Sequence, residues 1–491
     1  MIFNNQTLYA FDDILIQPQY SDIHSRKSID LSSKLRSAKF DLPIISSPMD
    51  TVTESEMSIA MYKEGGLGIV HRYNSIEEQC NIISKIKEKF PTVDMSKIAA
   101  AVGVSDDFQK RVKALYDTGV TTICIDVANG HNDNVKKAIE FCKSNFPELT
   151  IIAGNVATYE GARFLAESGA DAIRVGIGSG CFVAGTKVLT ENGQKNIEEV
   201  KRGEMVFTHT GKLQKVVETM QFFVKDEIYN INGIYCTKNH EFFTLKKEEV
   251  DSHQEPKTFG KWVSAEDLEI GVHYLQKFYQ NYDSMDSVEI KVYDKIKYSG
   301  MVYDLTVEND HSYVANNIVV HNSICSTRVQ TGHGVPQVTA LMECSKVKKE
   351  YPEVKIIADG GIKNSGDIVK SLACGADFVM LGSLLAGTEE SPGDIVTING
   401  KKGKIYRGMA SKEAQMDWKG SYSSYEGVST TIPYKGKLSE IIDDLRRGIA
   451  SGLSYSGCRS VQEFQDNAII VIQTPAGQFE SSTHISAVGL K

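Results

Sequence analysis

The nine cysteines of this 491-residue chain form no CxxC pair, and their number is odd. That argues against a disulfide framework and against a zinc site built from paired thiols. Most are expected to be small buried side chains in a reducing compartment. No apolar run approaches the roughly 18 residues of a membrane span. The start, MIFNNQTLYAFDD, has no basic stretch followed by an apolar one. Neither a membrane partner nor a signal peptide is expected, and a cytoplasmic location is. Concentrated positive charge is missing too. The formal net charge is −9, and basic clusters such as KEKF near 87 and KKGK at 401–404 are short. A nucleic-acid partner is therefore not expected, because phosphate backbones need clustered Lys and Arg.

What is present is ordinary for a soluble globular protein: 41% hydrophobic and 24% charged residues, with length for two to four domains. Residues 43–180 alternate short apolar runs with helical patterns. The runs are LPIISSPM (42–49), GLGIVHR (66–72), KIAAAVGV (97–104), VTTICIDVANG (120–130), LTIIAGNV (149–156) and AIRVGIG (172–178). They are too uniformly apolar for a half-exposed sheet and read as parallel strands buried on both faces. Between two of them, Phe108, Val112 and Leu115 recur at helical spacing, with Ser105 expected as the cap and Gly119 as the stop. The texture resumes with VKIIADGG (354–361) and ADFVMLGS (376–383), separated by a helix from about Ser365. Six strands and two more make eight, which predicts a closed (β/α)8 TIM barrel with its chemistry at the C-terminal strand ends.

Residues 181–322 differ. TKVLT, EMVFTHT, LQKVVETM, EIYNING, EFFTL, SVEIKVYDKIKY and MVYDLTV alternate in short runs separated by Gly and Asn. This predicts an all-β domain inserted after strand six, dividing the chain into 1–180, 181–322 and 323–491. GCFVAGTK ends G-T-K and is not a phosphate loop. The segment opens with Cys181 in CFVAGTKVLT, carries TKNHEFFT (237–244) and VYDLTVENDHSYVANNIVVHN (302–322), and is followed by Ser323. These blocks, in this order over 142 residues, resemble a self-splicing mini-intein of Hint type. The resemblance implies that Cys181 forms a thioester at Gly180 and Ser323 captures the acyl group. Asn322 then cyclises with help from His321. Thr237 and His240 assist at the first bond, and Asp304 couples the steps.

Joining Gly180 to Ser323 leaves 349 residues and reads RVGIGSGSICSTRVQTGHGVPQVTAL. With SSPMDTVTE (46–54), IDVANGH (125–131), GNVAT (154–158), ADGGI (358–362), VMLGSLLAGTEESPG (379–393), YRGMAS (406–411) and EGVSTTIPYKG (426–436), this host resembles the IMP dehydrogenases and GMP reductases. The resemblance implies Cys325 as the nucleophile at purine C2, with Thr327 and Glu426 moving protons. It assigns the nucleotide to Ser323, Asp359, Gly360, Gly361, Gly382, Ser383, Gly408, Met409, Ala410, Glu426 and Gly427. The cofactor falls to Arg72, Asp126, Val127, Ala128, Asn129 and Met409, and a potassium ion to carbonyls of Gly178, Gly180 and Cys325. A homotetramer is also implied.

Three features favour GMP reductase with NADPH. No regulatory domain follows VHRYNS; CIDVANGH has the reductase form; and residues 409–426 contain no arginine, where the dehydrogenase flap uses an Arg-Tyr pair. SSPMDTVTE, AGTEESPG and the C-terminal ESSTHI (480–485) are closer to the dehydrogenases, which use IMP and NAD, and Arg72 and Ser423 depart from the Lys and Arg usual in reductases. A non-enzymatic nucleotide-binding regulator is the third reading.

Overall fold

The computed structural model describes residues 8–105, 107–176, 182–237, 240–251, 261–265, 268–279, 284–307, 312–321, 334–398, 401–407, 429–474 and 477. The chain divides into two compact units, 1–177 with 335–471 and 178–334 with 472–491.

The first unit holds eight parallel strands: β1 (Ile44–Ser46), β2 (Leu67–Val70), β3 (Ile98–Val102), β4 (Thr122–Asp126), β5 (Thr150–Val156), β6 (Ala172–Val175), β7 (Lys355–Asp359) and β8 (Phe378–Leu381). They close into a barrel through β8–β1 and β6–β7 pairing. All eight fall inside the runs the sequence marked. Alternation along each strand builds two cores, because successive side chains point to opposite faces. Ile45, Leu67, Ile69, Ala99, Ala101, Cys124, Ile152, Ala172, Ile357, Phe378 and Met380 fill the interior. Their neighbours, such as Ile44, Val70, Ala100, Ile123, Ile151, Ile173, Ala358 and Val379, belong to the outer core with the helices. A hairpin of Ser33–Leu35 and Ala38–Phe40, which the sequence reading did not find, adds Leu35 and Phe40 to the inner cluster. The Phe40 ring meets Phe378 edge-on at 5.7 Å.

The surrounding helices are α1 (Ser55–Lys63), α2 (Ile76–Lys89), α3 (Phe108–Asp117), α4 (Asp133–Asn145), α5 (Tyr159–Glu167), α6 (Gln337–Ser345), α7 (Ser365–Ala373) and α8 (Leu438–Tyr455). Helix α2 starts at a reciprocal Ser75–Glu78 capping box. Helix α3 ends as expected at Gly119, with φ +93°. Its start differs from expectation. Asp107 is the N-cap, and the Ser105 hydroxyl turns instead to the Asp107 carboxylate at 3.0 Å. Among the described residues no helix is long and apolar enough to cross a membrane. The described cysteines are free, and all but Cys80 are buried.

Between β6 and α6 the described residues form thirteen strands from Phe182 to His321, with a 3-10 turn, Ile197–Glu199, and a short helix, Lys247–Asp251. The longest are Leu213–Ile231 and Tyr293–Val307, antiparallel with one bulge at Val216/Glu218. Two tight hairpins turn on residues in the left-handed region: Asn232 and Gly233 between Ile231 and Ile234, and Asn316 and Asn317 between Ala315 and Ile318. This unit has its own core, centred on Phe182, Val206, Phe242, Leu275, Leu305 and Tyr313.

Candidate functional site

In the barrel, the inward parity of the strands continues to their C-terminal ends and there turns from apolar to charged. Two residues past Cys124 is Asp126; two past Ala172 is Arg174; two past Ile357 is Asp359. Arg174, 7% exposed at its side chain, donates from one Nη to Asp126 Oδ1 at 2.6 Å and from the other to Asp359 Oδ2 at 2.8 Å. Arg72, just beyond β2, donates from Nε to the second Asp126 oxygen at 3.2 Å. Asn155, at the end of β5, donates to Asp359 Oδ2 at 2.8 Å. The result is one row from Arg72 through Asp126 and Arg174 to Asp359. Burial opposes ionisation of Asp126, but Arg174 and Arg72 outweigh it and hold the carboxyl below its ordinary range. Burial likewise opposes the Arg174 charge, and Asp359, Cys124 and Asp126 overcome it. Cys124, buried behind the row, has its thiol pushed up to about 12 by burial, which makes it no nucleophile.

The row is held by backbone stitching. The Val127 amide donates to Gly154 O at 3.1 Å, and Gly130 to Asn155 O at 2.7 Å, so the Asp126–Asn129 loop is tied to the end of β5. Ala128 and Asn129 are exposed. Gly176, after β6, lies so close to β7 that a Cβ there would come within 1.9 Å of Asp359 O. Gln337, at the start of α6, donates to Val175 O at 2.7 Å.

Beside this row, Gly360 and Gly361 follow β7 in the left-handed region and are exposed. Gly382 and Ser383 follow β8. A Cβ at Gly382 would lie 3.2 Å from Met49 Sδ, 3.2 Å from the Tyr406 hydroxyl and 3.5 Å from Ser47 Oγ. Polar side chains thus surround a small backbone cradle, which suits an oxyanion group. Arg174, Asn155, Ser47 and Tyr406 were not among the residues expected from sequence. Arg174 shares the parity of Ala172, which the inner core identifies as inward; Tyr406 comes from a strand, Lys401–Arg407, outside the eight-strand repeat.

The β-unit gathers a second group. Phe182 pairs with Cys236 on one side and Tyr303 on the other. Its neighbours Thr237 and Asp304 therefore lie beside the strand that follows Cys181. The His240 ring is 3.8 Å from the Phe182 ring, and its amide donates to Thr237 O at 3.1 Å. Thr237, His240 and Asp304 are all buried. Asp304 Oδ1 accepts from the Tyr313 hydroxyl at 2.6 Å and from the Leu305 amide at 2.8 Å. The final strand, Ile318–His321, pairs Val320 with both Tyr313 and Phe242, and His321 with Ser312. Burial pushes the Cys236 thiol up, leaving it inert beside Phe182.

Among the described residues, Arg72, Asp126 and Asp359 are joined through Arg174, and Thr237, His240 and Asp304 lie about Phe182 and its paired strands. Gly178, Gly180, Cys181, Asn322, Ser323, Cys325, Thr327, Gly408, Met409, Ala410, Glu426 and Gly427 lie outside the described residues.

Comparison with known proteins adds three observations. Residues 8–214 and 319–484 match the family described as "IMP dehydrogenase / GMP reductase domain". Over 97% of its length the chain is 27% identical to the inosine-5'-monophosphate dehydrogenase of Nitrosopumilus maritimus (strain SCM1), 98% of which is covered. It is 30% identical to the inosine-5'-monophosphate dehydrogenases of Methanocaldococcus jannaschii and Aquifex aeolicus, each alignment covering 97% of this chain and 95% of the relative.

Proposed function

Because the chain belongs to the IMP dehydrogenase / GMP reductase family, we propose that its barrel oxidises IMP to XMP through a thioimidate on Cys325, once residues 181–322 have excised themselves. The relatives' names favour this direction over the reductase expected from the flap. The thiolate of Cys325 adds to purine C2. When bound, NAD accepts the hydride that leaves C2. Water then replaces the sulfur, releasing XMP and the free thiol. The row of charges fits this task. Asp359 and the Gly360–Gly361 turn face the nucleotide, while Asp126, held by Arg72 and Arg174, faces the cofactor with half-buried Val127 and exposed Ala128 and Asn129. The observation that carries the reading is the inward Asp126–Arg174–Asp359 row at the C-terminal strand ends of a barrel that matches the family.

A specific observation favours a second direction, reduction of GMP to IMP and ammonia with NADPH: residues 409–426 contain no arginine, and Thr327 with Glu426 would protonate the departing ammonia. Incubation with IMP and NAD, and separately with GMP and NADPH, decides between them by the absorbance of the reduced cofactor. Appearance of NADH supports the dehydrogenase; consumption of NADPH transfers the reading to the reductase. Nucleotide binding without either change leaves a regulator.

Excision balances without an outside reagent. Cys181 attacks the Gly180 carbonyl to give a thioester, and the Ser323 hydroxyl takes the acyl group. The Asn322 side-chain nitrogen attacks its own carbonyl and releases a succinimide. An O-to-N shift then joins Gly180 to Ser323. Two observations support it. Phe182, His240, Asp304 and the final strand converge. The family match also breaks at 215–318, inside the β-unit, as an insertion relative to the family would make it do, while 181–214 and 319–322 are matched.

A further inference from the structure

The ten residues after β8, Gly382–Ser391, are held by two lysines from outside the barrel repeat. Lys404 is buried, and its ammonium donates to Glu389 O at 3.2 Å and Ser391 O at 2.6 Å. Lys435 donates to Ser383 O at 2.5 Å and Leu384 O at 3.2 Å. Its backbone amide also donates to Gly387 O at 2.8 Å, and the Glu389 amide returns a bond to Gly436 O at 2.8 Å. The fit leaves no slack, since a Cβ on Gly387 would come within 2.6 Å of Pro433 O.

The placement of the two lysines along the chain is informative. Lys404 lies on the strand Lys401–Arg407, opposite Ile432 of the strand Ser429–Pro433. Lys435 follows that second strand by two residues. Residues 408–428 thus leave from one clamped strand and return to the other. Tyr406, whose hydroxyl borders the Gly382 cradle, is two residues beyond Lys404. Burying an ammonium costs several kcal/mol unless charge or hydrogen bonds offset it, and a solvent-facing turn could satisfy its carbonyls with water. Four carbonyls of one short segment instead accept hydrogen bonds from two ammonium groups.

We propose that Lys404 and Lys435 are positioning residues, a two-point clamp that fixes the Gly382–Ser383 turn against Tyr406 and sets the turn to receive a nucleotide phosphate. The proposal rests on the nucleotide reading above. Neither lysine touches the phosphate; both act by holding the turn.

The test compares affinities for IMP and for inosine, by calorimetry on the protein as purified. In the wild type, IMP binds more tightly than inosine. In Lys435→Met, and in Lys404→Met, the IMP-to-inosine ratio falls about tenfold, the scale of one lost charge-assisted hydrogen bond. Inosine affinity stays near that of the wild type, and Lys435→Arg restores the ratio. A lysine that merely stabilised the fold would lower melting temperature without changing the ratio. Lys435 is the more exposed of the two, so its variant folds even where Lys404→Met does not. An unchanged ratio in Lys435→Met overturns the clamp alone. A wild type that treats IMP and inosine alike removes the nucleotide reading and the clamp with it.

Discussion

Arg174 is the residue on which the barrel's polar row depends, since among the described residues it alone bridges Asp126 and Asp359. Replacing it with Met keeps the volume and leaves two facing carboxylates without their shared cation. Breaking such a buried pair costs about 3–5 kcal/mol. The loss depends on pH in a defined sense. The folded state holds the Asp126 carboxyl below its ordinary value of 3.8, so the unfolded chain takes up a proton first on acidification. The increment is therefore complete above pH ~4 and fades as pH falls through the folded value. Denaturant unfolding of wild type and Arg174→Met is expected to show a wide gap near pH ~7 that narrows below pH ~4. A gap that is constant with pH would remove the electrostatic explanation. Arg72, Asp126 and Asp359 were legible because they stand in motifs that resemble a known family. Arg174 was not, because it is a lone charge in the otherwise apolar run AIRVGIG, and the run by itself does not say which face is inside the barrel. Only the pairing of Ala172 with the inner core shows that its charge points inward.

Among elements, the hairpins of the β-unit decide where its catalytic candidates sit. SVEIKVYDKIKY reads as one strand over 287–298, yet the structure breaks it into Ser284–Glu289 and Tyr293–Val307. The cause is Asn232, from a turn distant in sequence. Its side chain accepts from the Lys291 and Val292 amides at 2.8 and 3.0 Å and donates to Glu289 O at 2.9 Å. No local pattern announces a break imposed by a remote amide. Tyr313 links three of the resulting strands. Its ring is 6.1 Å from Phe182, its backbone pairs with Val320, and its hydroxyl holds Asp304. Tyr313→Phe keeps the ring and deletes the hydroxyl that donates to Asp304. If Asp304 couples the two cleavages, the variant is expected to excise about tenfold more slowly, as befits a lost hydrogen bond to a carboxylate. Single-end cleavage fragments should rise relative to ligated product. Intact-mass analysis of a time course reads both quantities. Equal slowing of all products, with no change in their ratio, would assign Tyr313 to packing alone.

For the whole molecule, the decisive fact is where the β-unit interrupts the barrel. It falls between β6, which carries Arg174, and α6, which begins at Gln337. Cys325 lies on the far side of that interruption, two residues beyond Ser323. In the continuous 491-residue chain, 149 residues separate Val175 from Cys325; after excision, seven do. After excision the proposed nucleophile, Cys325, stands a few residues from β6 and from α6; in the continuous chain the whole β-unit lies between it and β6. Misplacing a reacting group by even an ångström costs on the order of 10²-fold in rate. The wild-type gene is expected to yield products of 349 and 142 residues. A Cys181→Ala, Asn322→Ala chain cannot form the thioester or the succinimide and should remain at 491 residues. Its IMP-dependent NAD reduction should fall by roughly 10²-fold or more, for the positional reason above. Its barrel should still melt cooperatively, because both cores of that unit are built without residues 181–322. Unprocessed protein with full turnover would show that the barrel assembles its thiol loop around the β-unit, and that excision is irrelevant to catalysis.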